Sequence, residues 1–288
     1  MDALRVAALL VTLALAPHPA RPAAAAPVAY SGTGAWVDRY DFVKLEDPEF
    51  AVAEMADHGV KTLYVETASW RVPSGVDIVA PEQTDDLIAA AHANGMNVVA
   101  WYLPGFVNLR TDLRRIRAAL AFRTADGQAF DSFALDIEAN ALNPLWRRNA
   151  ALLKLSQAIR KQVGPDYPLG AIVPDQVSTS NGNVLWPRFP YAAVARYYDV
   201  FLPMAYSSFS RARGSSRVYA YTAANVRFVR RGTHRPVHVI GGLTDSMTMS
   251  EQVAVARAAH DAGAVGASLY KYQLYDPGSW AALSSFGP

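Results

Sequence analysis

The feature that most constrains this chain is an alternation of strand-like and helix-like segments that recurs eight times. Period-two and short continuous apolar runs predict strands over Gly34–Tyr40, Lys61–Thr67, Asn97–Leu103, Ser132–Glu138, Leu169–Asp175, Val200–Ser207, Val237–Leu243 and Gly266–Tyr272. Helical periodicity falls between them, over Pro48–His58, Asp85–Ala93, Leu109–Phe122, Leu145–Val163, Tyr191–Tyr197, Val218–Arg230 and Ser250–Asp261, with a short last helix over Ser279–Phe286. Repeats of roughly 30 residues, with no linker between them, predict one closed (β/α)8 TIM barrel, a single α/β domain over residues 27–288. A doubly wound open sheet is the competing fold, and it would not need eight units.

The joints carry matching chemistry. Three predicted helices close on His58-Gly59, His92-Ala93-Asn94-Gly95 and His260-Asp261-Ala262-Gly263, where glycine supplies a left-handed C-terminal residue and a histidine complements the helix dipole. Thr248-Met249-Ser250-Glu251 has the spacing of a capping box.

In such a barrel, chemistry sits at the carboxyl ends of the strands. Those ends supply Trp36, Asp38, Glu66, Trp101, Tyr102, Asp136, Glu138, Asp175, Gln176, Tyr206, Tyr270 and Gln273, a ring of acids and aromatics that suits a sugar better than a phosphate. Strand four stands out. Phe133, Leu135 and Ile137 alternate with Ala134, Asp136 and Glu138, so the two carboxylates share a face and lie roughly 6–7 Å apart along the backbone. Two acids on a face otherwise destined for the interior imply either a polar site or a buried pair tied to Arg or Tyr for structure alone.

Other chemistries lack their motifs. No glycine-rich phosphate loop and no G-x-S-x-G elbow is present, the six histidines are scattered, and no cofactor or metal is implied. Lys+Arg 27 against Asp+Glu 25 leaves a formal charge of +2 with no concentrated basic patch, which argues against nucleic acid. At the N-terminus, Arg5 precedes an apolar run over Val6–Ala16, followed by small residues through Ala26-Pro27. This predicts a signal peptide over residues 1–26, a secreted product and no membrane span in the mature form. With 51% hydrophobic residues and no Cys, stability is expected from the core rather than from disulfides.

The stretch Asp131-Ser132-Phe133-Ala134-Leu135-Asp136-Ile137-Glu138 resembles the strand-four signature D-G-x-D-x-D-x-E of family 18 glycoside hydrolases, the chitinases and endo-N-acetylglucosaminidases. Three acids match; Ser132 replaces the glycine and Ala134 the middle aspartate. Met204-Ala205-Tyr206-Ser207 is similar to the family's strand six, with Ser207 in place of Asp, and Gly266–Tyr270 to its last strand, with Tyr270 in place of Trp. An "LDIE" strand also occurs in other sugar-cleaving barrels, family 25 lysozymes among them. The resemblance implies Glu138 as general acid/base, Asp136 as the group that orients a substrate acetamido group, and Tyr206 as its hydrogen-bond partner. A two-carboxylate scheme with Glu66, Asp175 or Asp38 as the second acid stays open. The expected partner is a polysaccharide or oligosaccharide acted on by a monomer. The alternative is a non-catalytic sugar-binding barrel at the cell surface, motivated by the acids missing at Ala134 and Ser207; a phosphodiesterase is a third reading.

Overall fold

The computed structural model describes residues 27–175, 185–210 and 212–286, so the predicted signal peptide and Gln176 lie outside the described residues. Eight parallel strands close into a barrel in sequence order. They are β1 Gly32–Val37, β2 Thr62–Ser69, β3 Asn97–Leu103, β4 Ser132–Asp136, β5 Leu169–Pro174, β6 Val200–Met204, β7 His238–Leu243 and β8 Gly266–Tyr270. The helices are α1 Pro48–Asp57, α2 Pro81–Ala93, α3 Leu109–Ala121, α4 Leu145–Val163, α5 Tyr191–Val194, α6 Ser215–Thr233, α7 Met249–Asp261 and α8 Pro277–Ser284.

Strand β3 and helix α4 fall where the sequence predicts them. Other strands end earlier than predicted: β1 stops before Asp38, β4 before Glu138, β6 before Tyr206 and β8 before Lys271. These polar residues have left the hydrogen-bond ladder and stand in the loops above it. Helix α2 begins four residues before its predicted start because Pro81 occupies its first turn. Its N-cap is Ala80, in a left-handed conformation with no side-chain cap, so the usual start signal is missing from the sequence. The expected helix ends are present, with Gly59, Gly95 and Gly263 at positive φ, and the Thr248–Glu251 capping box forms.

Two cores result from strand alternation. Outward-facing residues such as Phe133, Leu135 and Ile137 pack under the helices, while Tyr30, Trp36, Tyr64, Val99, Ala134, Ile172, Leu202 and Ile240 fill the barrel. A short 3₁₀ turn at Val28–Tyr30 drives the Tyr30 side chain into the barrel, where its hydroxyl lies 2.6 Å from Ser132 Oγ and donates to the Phe133 carbonyl at 3.1 Å. Gly170 makes room for it: a Cβ there would lie 2.7 Å from the Tyr30 hydroxyl. Above Tyr30, Tyr64 stacks on Trp36 with centroids 4.1 Å apart, and His238 bridges the Tyr30 carbonyl and Ser268 Oγ at 3.0 Å each. Burial pushes the His238 pKa down to about 4, so this imidazole is a neutral part of the interior. His92, hydrogen-bonded to Gln128 and Asp131, sits at a helix end as expected, and Asp131 also accepts from the Val98 amide at 2.7 Å. Asp131, an acid of the strand-four motif, is therefore a scaffold residue at the amino end of the barrel.

One contact outside the barrel matters for its mouth. Arg115 on α3, 2% exposed, donates to four backbone carbonyls of the β2–α2 connection: Ser69 at 2.8 Å, Val72 at 2.9 Å, Pro73 at 2.8 Å and Val76 at 3.0 Å. Charge-assisted bonds to loop carbonyls are strong, and one side chain here joins four of them, two of which, Ser69 and Pro73, also accept from the Val72 and Val76 amides at 3.1 and 3.0 Å. Arg115→Ala is expected to lower stability by about 3 kcal/mol and to raise amide exchange across residues 69–80. A loss below about 1 kcal/mol with unchanged exchange would show that the loop holds itself.

Candidate active site

The cavity at the carboxyl ends of the strands has a volume of about 250 Å³ and is lined by Trp36, Asp38, Glu66, Trp101, Asp136, Glu138, Tyr206 and Tyr270, among others. Eight of the twelve predicted site residues therefore meet there. Trp36 is the centre of its floor. Trp101 meets its ring edge-on at 6.0 Å and Tyr270 at a tilt at 6.4 Å, and Tyr206 stands 5.9 Å from Tyr270.

Asp136 and Glu138 project inward on one face, as the alternation requires, with Ala134 below them in the barrel core. Asp136 is 7% exposed, and its Oδ1 is buried without a hydrogen-bond partner among the described residues. Glu138, one pleat further out, is partly exposed and forms no ion pair or hydrogen bond with a described residue. The purely structural reading, a buried pair tied down by Arg or Tyr, thus loses its partners. Burial, then the Glu138 and Glu66 charges, push the Asp136 pKa well above the usual carboxylate range. Burial also raises Glu138, against a lowering influence from the Arg71 guanidinium. Glu66 on β2 is the third member. Burial carries it to about 7, although the Arg39 amide donates to its Oε2 at 3.0 Å. Three carboxyl groups over an apolar floor cannot all ionise cheaply, so the cluster retains protons near neutral pH.

Asp38 behaves differently. Its carboxylate accepts from the Tyr270 hydroxyl at 2.8 Å, Lys271 Nζ at 2.9 Å and the Tyr40 amide at 2.8 Å, so it lines the cavity as a tether for Tyr270. The Trp101 indole Nε1 is a second buried polar atom without a partner among the described residues. Together Trp101 Nε1 and Asp136 Oδ1 give the cavity an unused donor and an unused polar oxygen. Among the described residues no three His, Asp or Glu side chains converge to hold a metal ion.

Three predicted site residues lie elsewhere. Tyr102 follows Trp101 on the same strand and must face the opposite way; its hydroxyl donates to Asp112 on α3 at 2.7 Å within the outer core. Asp175 accepts from the Tyr221 hydroxyl of α6 at 2.6 Å, which draws it toward the helices. Gln273 lines a separate groove with Lys44, Glu46 and Tyr272. Ser207, where the resembled family has Asp, is buried with its Oγ against Met247 Sδ at 3.8 Å and does not line the cavity.

The cavity also takes in Ser69 and Arg71, which strand alternation would not place there. A β-bulge in β2 is the reason: Glu66 pairs with Trp101 but Ala68 pairs with Tyr102, leaving Thr67 extra. The bulge inverts the phase, so Ala68 turns to the outer core while Ser69 and then Arg71 face the cavity.

No protein-family model matches the chain, and no curated protein matches it. Solved structures do resemble it. An endo-β-1,4-mannanase from Thermotoga petrophila superposes with a TM-score of 0.66 at 11% identity, covering 90% of this chain and 76% of that one. A family GH18 chitinase from Cycas revoluta, in complex with allosamidin, gives 0.64 at 12% identity over 89% of this chain and 100% of that one. The spore cortex-lytic enzyme of Bacillus cereus gives 0.63 at 9% identity over 90% and 74%. At such identities the likeness is one of fold: the chain shares its (β/α)8 barrel with glycoside hydrolases.

The raised pKa of Glu66 has a consequence for stability. Between the ordinary glutamate value and about 7, the folded protein binds this proton and the unfolded chain does not. Stability therefore falls as pH rises through that window. Glu66→Gln removes the contribution, so relative to the parent the variant should gain on the order of 2 kcal/mol between pH 5 and pH 8 in denaturant titrations. A difference that is the same at both pH values would contradict the assignment.

Proposed function

We propose that this protein is an exported glycoside hydrolase acting on a polysaccharide that contains N-acetylated amino sugars, with Glu138 as general acid/base. The observation that carries the proposal is the pair of inward-facing carboxyls at the end of β4, a buried Asp136 with an unpartnered Oδ1 and a partly exposed Glu138, over an aromatic floor. The barrel that the chain shares with glycosidases supports it, as does the strand-four motif.

In the scheme, a pyranose ring packs against Trp36 and Trp101 and the Trp101 indole N–H donates to the sugar. Glu138, whose proton affinity burial raises, gives its proton to the glycosidic oxygen as the bond to the anomeric carbon breaks. The substrate's acetamido oxygen attacks that carbon from the opposite face. Asp136 receives the N–H of the resulting cyclic cation, and the Tyr206 hydroxyl orients the amide before attack. Water then displaces the acetamido oxygen from the anomeric carbon, which restores the acetamido group, and gives a proton to Glu138. Ala134 leaves Asp136 without the acid found below it in the resembled family; Glu66, whose charge bears on Asp136 from β2, is the remaining carboxyl able to share its proton. Were the substrate to lack an acetamido group, Glu66 would be the candidate second carboxylate, since Asp38 is tethered and Asp175 faces the helices.

Protein lacking residues 1–26 should release reducing ends from a panel of chitin, peptidoglycan and β-mannan. Glu138→Gln should lower kcat by about 10²- to 10⁴-fold with KM little changed. Its melting temperature should hold or rise, because the substitution removes a partly desolvated ionisable group. Oligosaccharides bound but left intact by parent and variant alike would favour the non-catalytic binding barrel, and a large drop in melting temperature would make Glu138 a scaffold residue.

A further inference from the structure

Arg71 lines the cavity, yet its guanidinium makes no hydrogen bond or ion pair with any described residue. Its neighbour in the lining, Arg39, is occupied: it lies over the Tyr40 ring at 4.2 Å, donates to the Tyr40 hydroxyl and stands 4.0 Å from Glu66. Arg71 lies over the Trp70 ring at 5.3 Å, and its charge reaches the Glu138 carboxyl without a hydrogen bond to it.

The backbone at Arg71 is nonetheless held in place. The β2 bulge sets its direction, its amide bonds Ser69 Oγ at 3.2 Å, and the Trp70 amide bonds the Leu103 carbonyl at 2.8 Å. Trp70 packs over Gly105, where a Cβ would come within 2.9 Å of the Trp70 Cβ. Arg115 clamps the carbonyls on either side, at Ser69 and at Val72 and Pro73. An exposed arginine on a backbone held in this way, with no hydrogen bond to its guanidinium from a described residue, is open to an anion. For the chemistry of Glu138 alone it is counterproductive, because a nearby guanidinium favours loss of the proton that a general acid must keep. An anion bound to Arg71 would cancel that influence.

We infer that the glycan unit bound in this cavity carries a carboxylate, which the Arg71 guanidinium receives at the mouth beside Glu138. The inference rests on the glycosidase reading of the same cavity. Two kinds of sugar offer this group: a hexuronic acid, and an amino sugar with a lactyl ether. An exposed guanidinium that pairs with a carboxylate in a fork geometry should be worth about tenfold in affinity.

The experiment compares oligosaccharides of each kind with the same oligosaccharides after reduction of the carboxyl to an alcohol. Calorimetric binding is measured on Glu138→Gln, with and without Arg71→Met, and hydrolysis on the parent and on Arg71→Met. For one of the two kinds, the carboxylated form should bind about tenfold more tightly than its reduced form, and Arg71→Met should bring that ratio close to one; the kind that responds identifies the source of the carboxylate. Arg71→Lys should restore part of the ratio, since it keeps the charge without the fork. Equal binding of carboxylated and reduced forms, a preference that survives Arg71→Met, or no binding of either form would overturn the inference. Hydrolysis of neutral glycans without any carboxylate preference would remove this inference alone and leave the enzymatic reading standing. Arg71-dependent binding without hydrolysis would keep the inference and remove the enzymatic reading.

Discussion

The constraint on which the site depends is the desolvation of three carboxyl groups held above an apolar barrel floor, with repulsion between them second. Asp136, Glu138 and Glu66 reach into one cavity, and beneath them lie Trp36, Val99, Ala134, Ile172 and Ile240. Desolvation raises all three pKa values, and the charges of the others raise Asp136 and Glu66 further. The same barrel handles Asp38 and Asp41 in the opposite manner, placing Lys271 between them. One end of the barrel thus holds an acid pair neutralised by Lys271, which fixes Tyr270, and a carboxyl cluster with elevated proton affinity that Arg39 and Arg71 offset without a side-chain hydrogen bond. The distinction between acids used to build and acids left free separates scaffold from site.

The mouth is set by devices that work at a distance from the chemistry. A single extra residue in β2 turns Ser69 and Arg71 toward the cavity, and one buried arginine on α3 ties down the segment that follows. Below, Tyr30, Tyr64 and His238 fill the barrel through gaps left by glycine, so the floor under Trp36 is packed and cannot sink. A rigid floor and a clamped rim leave the carboxyl cluster little freedom to relieve its repulsion by moving.

Much of this was legible in the sequence. Eight repeats dictate the barrel, and the alternation through Phe133–Glu138 by itself places Asp136 and Glu138 on one face. The misplacements share a cause. Tyr102 and Asp175 were assigned to the site as residues near strand ends, yet the Tyr102 and Asp175 side chains bond to Asp112 and Tyr221 of the helical layer. Gln273 sits past the end of β8, in a 3₁₀ turn where strand periodicity no longer applies. Arg71 was missed because a bulge leaves no mark in an apolar pattern; only the pairing of β2 with β3 exposes it. The tethering of Asp38 by Lys271 is likewise a tertiary contact across the barrel seam, between residues 233 positions apart.

The central claim is that the cavity raises the proton affinity of its three carboxyls even with the Arg39 and Arg71 guanidiniums at its rim. An NMR titration of the side-chain carboxyl carbons, assigned through Glu66→Gln and Glu138→Gln, tests it without a substrate. The account predicts that the Glu66 carboxyl titrates near pH 7 and that Asp136 and Glu138 titrate above their ordinary values. If all three lose their protons within the ordinary range of about 3–5, the cluster is solvated, and the proton donor assigned to Glu138 is absent.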